Sequence, residues 1–184
     1  FVLLIGKLTG QLSKKYEQQM LLRLKNRKQW WMESHLKIWL ECMGYLAVTA
    51  IAFLVFSFCT KSAVEGINLE LLKDYLGLEI NKNNFRIFSM VLVFCVALLA
   101  LTYIQYIVSL AINAVTGILV SIVILVSSVY QIHPFLIGNY FMCIRQMMFA
   151  MDDVGFLTQG AVSGGIIFFM AVIGYQILKR KDLF

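Results

Sequence analysis

Long apolar runs separated by polar segments are the main pattern of this chain. An α-helix that rises about 1.5 Å per residue crosses a hydrocarbon core of about 30 Å in about 20 residues, and several runs approach or exceed that length. The runs lack the alternation of polar and apolar residues that barrel strands require. We therefore predict an all-α protein, a polytopic transmembrane helical bundle. The predicted complete spans are residues 36–59, 87–109, 114–130 and 160–178.

The longest apolar stretch is expected to fold back on itself. No Lys, Arg, Asp or Glu occurs from Ile87 to Ile144. A single helix over residues 87–130 would measure about 66 Å, which is more than twice the thickness of the core. Asn113 and Gly117 both weaken a helix, so we expect the reversal around residues 109–117.

Polar segments connect these spans. Pro134 breaks the helical pattern, and Arg145 and the Asp152–Asp153 pair make the following stretch too polar to span. A re-entrant hairpin fits this stretch, because irregular backbone at membrane depth needs cover from protein or water. Residues 1–6 are interpreted as the tail of an earlier span. The predicted connections are a cytoplasmic segment 7–35, an extracellular loop 60–86, an extracellular re-entrant hairpin 131–159 and a cytoplasmic tail 179–184.

Composition and charge agree with a membrane location. Hydrophobic residues make up 60% of the 184 positions and charged residues only 14%, unlike a soluble domain. The net charge of +6 is concentrated beside the apolar runs, in residues 7–28 and 179–181. Basic flanks of this kind mark cytoplasmic loops. We therefore expect a multi-pass protein of the cell membrane that contacts the lipid bilayer and no nucleic acid.

Motifs for catalysis are not evident in the sequence. The nearest fragment to a P-loop, Gly6-Lys7-Leu8, lacks the upstream glycine and the hydroxyl residue that phosphate binding needs. His35 and His133 fall on opposite sides of the predicted topology, so they cannot share a metal ion. We expect no enzymatic activity, no metal and no cofactor of its own.

The basic segment 11–35 is the first candidate site. Leu12, Tyr16, Met20 and Leu24 recur at every fourth position, which predicts an amphipathic helix at the inner membrane surface. Two interpretations stay open: a docking helix for a cytoplasmic partner, or a polybasic flank that fixes topology and touches anionic lipid. The candidate docking residues are Leu12, Tyr16, Met20, Leu21, Leu22, Arg23, Leu24 and Arg27.

Two further sets of residues are candidates for packing and gating. Gly160, Gly164 and Gly165 give the last span a small face that allows close helix contact, within the chain or with a partner. Aromatic and methionine side chains in the hairpin predict an adaptable outer gate, with anchoring in the outer leaflet as the alternative. The candidate gate residues are Phe135, Phe141, Met142, Met147 and Met148.

Two segments resemble a known family. The stretch LLRLKNRKQWWMESHLKIWL, residues 21–40, is similar to the segment of small ABC type-2 permeases of Gram-positive bacteria in which LLR-x-x-[SN]-R-x-x-WW precedes the third span. HPFLIGNYFMCIRQ, residues 133–146, and the ending YQILKRKDLF are similar to that family's last outer hairpin and basic tail. In the family, six spans form each half, so the first span and most of the second would precede this sequence.

The resemblance implies a function and a set of partners. It implies a permease subunit of an ABC exporter that moves amphipathic peptides, such as antimicrobial peptides or lantibiotics, or similar hydrophobic cargo such as lipids. Separate cytoplasmic ATPase subunits would bind ATP and Mg²⁺ and dock on the loop that matches residues 11–35. A second permease, identical or different, would complete the dimer. The alternative is a membrane protein without a transport path, such as a sensor or an assembly factor; a membrane-embedded enzyme ranks third.

Overall fold

A computed structural model describes residues 27–60, 87–142, 144–146, 148 and 155–180. All regular structure in these residues is helical, which confirms the expected all-α class for this part of the chain. In chain order the elements are α1 (Arg27–Thr60), α2 (Ile87–Ala111), α3 (Ala114–Tyr130), a 3₁₀ helix (Ile137–Phe141) and α4 (Phe156–Arg180).

Three of these helices are long and apolar enough to cross a membrane. The qualifying stretches are Trp31–Phe56 in α1, Phe88–Ala111 in α2 and Phe156–Ile177 in α4. Helix α3 is apolar too, but with 17 residues it rises only about 26 Å. It is therefore shorter than a typical hydrocarbon core.

Helix α1 extends well into the basic segment. It begins at Arg27 instead of near residue 36, and it has no break before Thr60. Its first residues, RKQWWMES, contain neither glycine nor proline, and Arg, Lys, Gln, Met and Glu all have high helix propensity. The end of the predicted coupling segment and the first span are consequently one continuous helix.

The chain reverses between α2 and α3 at Ile112 and Asn113, inside the stretch 109–117. Asn113 is the N-cap of α3, and its side-chain oxygen accepts a hydrogen bond from the Thr116 backbone N–H at 2.7 Å. A Cβ on Gly117 would lie 2.6 Å from the Gln105 carbonyl oxygen. Asn113 therefore starts the new helix, and Gly117 lets it pass close to α2.

Helix α2 lies between its neighbours and is the most buried of the four. Helix α3 runs antiparallel to it, while α4 runs parallel, with Gln159 hydrogen-bonded to Gln146 near its start and Gly174 against Ile107 near its end. Two apolar clusters form along α2. One contains Trp31, Ile38, Tyr103, Tyr106 and Ile107, and the other contains Val93, Ala97, Ala100, Ile104, Ile137 and Tyr140.

These contacts define two ends. The basic end is where α1 begins with Arg27 and Lys28 and where α4 closes with Lys179 and Arg180. The hairpin end holds residues 131–142, 144–146 and 148 and the start of α4. The helix directions determine which segments meet at each end, because α1 and α3 run one way and α2 and α4 run the other.

Helix α1 packs on the others mainly through its first half. Trp31, Ile38 and Cys42 are buried, and the Cys42 thiol lies 3.3 Å from the Thr102 hydroxyl. Beyond Cys42, Tyr45 and Leu46 are half-buried and the other large apolar side chains described are exposed: Met43, Val48, Ile51, Leu54, Val55, Phe56 and Phe58. An apolar surface of this extent needs cover from lipid or from another polypeptide.

Candidate functional site

The 3₁₀ helix at the hairpin end is organised by a buried asparagine. The Asn139 side chain is fully buried, and its Nδ2 donates to the Gln131 carbonyl at 3.1 Å and to the His133 carbonyl at 2.9 Å. Both carbonyls belong to the irregular backbone around Pro134, where the His133 carbonyl also accepts from the Leu136 backbone N–H at 3.0 Å in a turn. Asn139 therefore adds side-chain hydrogen bonds to carbonyls that lie outside a regular helix.

Arg145 joins this turn to the end of α3. Its guanidinium donates to the Ser128 carbonyl, to the Val129 carbonyl at 2.7 Å, and to Asn139 Oδ1. The last carbonyls of a helix lack intrahelical partners and carry the negative end of its dipole. A cation that donates several hydrogen bonds is the strongest partner for them. Arg145 thus acts as a side-chain cap for α3.

Three more polar side chains continue the network toward α4. The Gln146 amide donates to the Tyr140 carbonyl, and the Gln159 amide donates to the Gln146 carbonyl at 3.3 Å. The Tyr140 hydroxyl donates to the Pro134 carbonyl, and burial raises the pKa of that hydroxyl, so it keeps its proton at neutral pH. We call Asn139, Tyr140, Arg145, Gln146 and Gln159 the hairpin clamp.

A glycine brings the clamp close to α3. A Cβ added to Gly138 would lie 2.6 Å from the Ser128 Cβ and closer still to its hydroxyl. No larger residue fits there without displacing the 3₁₀ helix from α3. The clamp and this contact hold the described part of the hairpin against α3 and α4.

The residues predicted to form an outer gate are not gathered in one place. Phe135 is 69% exposed and stacks on His133, with ring centroids 5.5 Å apart. Phe141 packs edge-on against Phe94 of α2 at 5.4 Å. Met142 and Met148 are half-buried, and Met147 lies outside the described residues. The gating role stays a prediction, with Phe141 and Met142 as its best-placed members.

The glycines predicted for helix packing have open surroundings. Around Gly160, Gly164 and Gly165 of α4, no atom lies within 4 Å of the position a Cβ would take, among the residues described. Close helix contact within the described chain instead uses Gly117, Gly138 and Gly174. A contact of the first three glycines with a partner stays a prediction.

Most of the predicted docking residues cannot be compared with the structure. Leu12, Tyr16, Met20, Leu21, Leu22, Arg23 and Leu24 lie outside the described residues, and Arg27 is the first residue of α1. Their role in contacting an ATPase stays a prediction. The described structure begins where this segment enters the first span.

One turn into α1, an aromatic cluster joins three helices at the basic end. The Trp31 ring lies 6.4 Å from the Tyr106 ring of α2 and 6.4 Å from the Tyr175 ring of α4. Gly174 allows this approach, because its Cβ would lie 3.2 Å from Trp31 Cζ2. Trp31 itself is only 7% exposed. We call Trp31, Tyr106, Ile107, Gly174 and Tyr175 the aromatic joint.

Sequence reasoning did not assign roles to the joint or the clamp. The double tryptophan at the end of the basic segment and the single arginine in the apolar region between Ile87 and Met151 were the available signals. Neither signal identifies its partners, because Gly174 and Ser128 are distant in sequence from Trp31 and Arg145. Only the packing of the helices brings them together.

A surface groove lies beside the joint. It has a volume of about 380 Å³ and is lined by Met32, Glu33, His35, Leu36, Trp39 and Tyr103. The His35 ring stacks on Tyr103 at 5.2 Å. The surface of this groove is almost wholly apolar. In the part of the chain that the structure describes, no group of three or more His, Cys, Asp or Glu side chains is placed to hold a metal ion.

Comparison with known proteins adds no relative. No family model matches the chain, no curated protein matches it, and no solved structure matches it. The function is therefore inferred from the residues, the helices and the two segments that resemble the permease family.

Proposed function

We propose that this chain is the transmembrane subunit of an ABC exporter, which moves amphipathic peptides or similar hydrophobic cargo across the cell membrane. A separate cytoplasmic ATPase supplies the energy. The observation that carries the proposal is the arrangement of the two ends: a basic end, where α1 begins and α4 closes, lies opposite a clamped hairpin. The resembling permeases have the same order of coupling loop, spans, outer hairpin and basic tail.

The proposal assigns the basic end to the cytoplasm. Lys28 and Lys179 are exposed there. The other basic residues of segment 7–35 and of the tail KRKD add further positive charge next to them in the sequence. Retention of Lys and Arg on the cytoplasmic side is the strongest determinant of membrane topology. The predicted docking residues, Leu12 to Arg27, are then on the side where ATP is available.

Under this proposal all four helices cross the membrane, in alternating directions. Helix α3 is short, yet it packs antiparallel on α2 through Gly117, as expected of a helix that crosses the membrane back to the other side. The hairpin end then lies outside, where the clamp satisfies backbone carbonyls that lipid cannot.

The exposed apolar surface supports a second permease and a cargo path. The second half of α1 and the glycine face of α4 are uncovered among the described residues, and both are apolar. In the proposed dimer, a second permease and lipid cover these surfaces. Phe141, which packs on Phe94 of α2, and its neighbour Met142 form the outer seal that cargo passes.

Co-purification tests the proposal. The full chain, tagged and extracted in detergent from cells that express its neighbouring genes, should retain a P-loop ATPase subunit. Replacing Leu21, Leu22 and Leu24 with serine should release the ATPase while the chain still inserts in the membrane. If no ATPase accompanies the wild-type chain, the alternative of a sensor or an assembly factor replaces this proposal.

A further inference from the structure

The basic end provides a path from the predicted docking residues, which end at Arg27 and are called the docking segment below, to the spans. Helix α1 is continuous from Arg27, so Trp31 belongs to the same helix as the end of the docking segment. A displacement of Arg27 and its neighbours therefore moves Trp31 with it, because an unbroken helix has no internal hinge.

Trp31 has little room to move without moving its neighbours. The benzene ring of its indole lies against Gly174 and near the Ile107 side chain, and the Tyr106 and Tyr175 rings lie beside it in tilted orientations. At this packing density a shift of the indole must displace α2 or α4. The absence of a side chain at Gly174 is what allows the indole to sit between the two helices.

The remaining contacts of α1 are few and close to the joint. Ile38 and Cys42 are buried, and beyond Cys42 most of the described large apolar side chains of α1 are exposed. The contacts by which α1 can pull on the other described helices are thus concentrated between Trp31 and Cys42. Of these buried residues, Trp31 is the nearest to the predicted docking residues, and it contacts α4 as well as α2.

We propose that the aromatic joint transmits motion of the ATPase-docking segment to α2 and α4, with Trp31 as the positioning residue and Gly174 as its seat. This inference rests on the proposed function and adds to it the path by which ATP-driven motion enters the spans. It concerns residues of the last span that the docking prediction did not include.

Spin-label distances in the complete complex test this proposal. In the full chain, with Cys42, Cys59, Cys95 and Cys143 replaced by serine, labels are attached through Val48→Cys on α1 and Phe168→Cys on α4. Both positions are exposed, at 66% and 73%. The complex with its ATPase is measured without nucleotide and after trapping with ATP and vanadate. The wild-type joint should give a distance distribution that shifts on trapping.

Variants of the joint should remove that shift and keep the ATPase bound. Trp31→Ala removes the indole, and Gly174→Ala forces it away, so both should abolish the nucleotide-dependent shift. A triple variant adds Trp31→Phe and Ile107→Val to Gly174→Ala. These two changes remove the atoms that the new methyl group meets, so the triple variant should restore the shift. Gly44→Ala on α1 is the matched control, because no described atom lies within 4 Å of the added carbon, and it should leave the shift unchanged.

The outcomes separate the two proposals. A nucleotide-dependent shift that persists in Trp31→Ala overturns the joint as the transmission path, and so does a wild-type complex that binds its ATPase yet shows no shift. Absence of an ATPase from the wild-type complex overturns the proposed function, and the transmission role with it. Loss of ATPase binding in Trp31→Ala contradicts a positioning role, because the joint would then be part of the docking surface.

Discussion

The two ends of the described helices are held together by different chemistry. At the hairpin end, the hairpin clamp uses hydrogen bonds from Asn139, Arg145 and three other polar side chains to backbone carbonyls. At the basic end, the aromatic joint uses the shape of an indole ring fitted onto a glycine. Each end brings together segments that are distant in sequence.

Backbone geometry explains this difference. Around Pro134 the chain is irregular, so its carbonyl groups lack helical partners, and in an apolar environment each unsatisfied group costs several kcal/mol. Polar side chains must satisfy them. The residues of the aromatic joint lie within α1, α2 and α4, whose regular helices satisfy their own backbone, so contact there requires only complementary shape. The clamp should therefore tolerate substitution poorly, and the joint should show graded losses.

The largest effect is expected for Arg145→Ala. This change leaves the Ser128 and Val129 carbonyls and Asn139 Oδ1 without their cationic donor, and it should lower the free energy of unfolding by about 3 kcal/mol. Thermal unfolding in detergent measures the loss. Lys28→Ala, an exposed cation at the other end, is the control and should change little. Equal stabilities for both variants would show that Arg145 does not stabilise the hairpin clamp.

A smaller loss is expected for Gly138→Ala. The added methyl group would overlap Ser128 and push the 3₁₀ helix from α3, at a cost of about 2 kcal/mol. Ser128→Gly in the same chain should recover part of the loss, since it removes the atoms in the way. Gly155→Ala, which meets no described atom within 4 Å, is the matched control. If Ser128→Gly gives no recovery in the same unfolding assay, this contact does not position the hairpin.

The smallest effect is expected at the joint, for Ile107→Val. The change removes only the Cδ1 methyl group beside Gly174, so the neighbouring rings can adjust and the expected loss is about 1 kcal/mol. The same detergent unfolding assay compares this loss with that of Arg145→Ala. A larger loss at Ile107 than at Arg145 would reverse the comparison between the two ends.

The sequence alone predicted much of the fold. Apolar runs were enough for the all-α class, and Asn113 and Gly117 marked the region in which α2 and α3 separate, because helix breakers act locally. The start of α1 was harder to place, since RKQWWMES is polar but helix-forming. A hydropathy pattern therefore marks the membrane boundary and not the helix boundary.

The candidate sites were harder to predict from the sequence than the fold. Arg145 was evident as an isolated charge in an apolar region, but its partners are the last carbonyls of α3, and backbone groups have no sequence signature. The glycine pattern on α4 drew attention to Gly160, Gly164 and Gly165, while the described close contact of that helix uses Gly174. A glycine pattern shows where contact is permitted, and the packing of the neighbours determines which site is used.

The side of the membrane on which each end lies tests the proposed function most directly. A cysteine-free chain with either Lys28→Cys or His133→Cys, both at exposed positions, is treated in intact cells with a membrane-impermeant maleimide. We expect His133→Cys to react in intact cells and Lys28→Cys to react only after the cells are permeabilised. Reaction of Lys28→Cys in intact cells, with His133→Cys protected, would place the basic end outside and contradict an ATPase docked there.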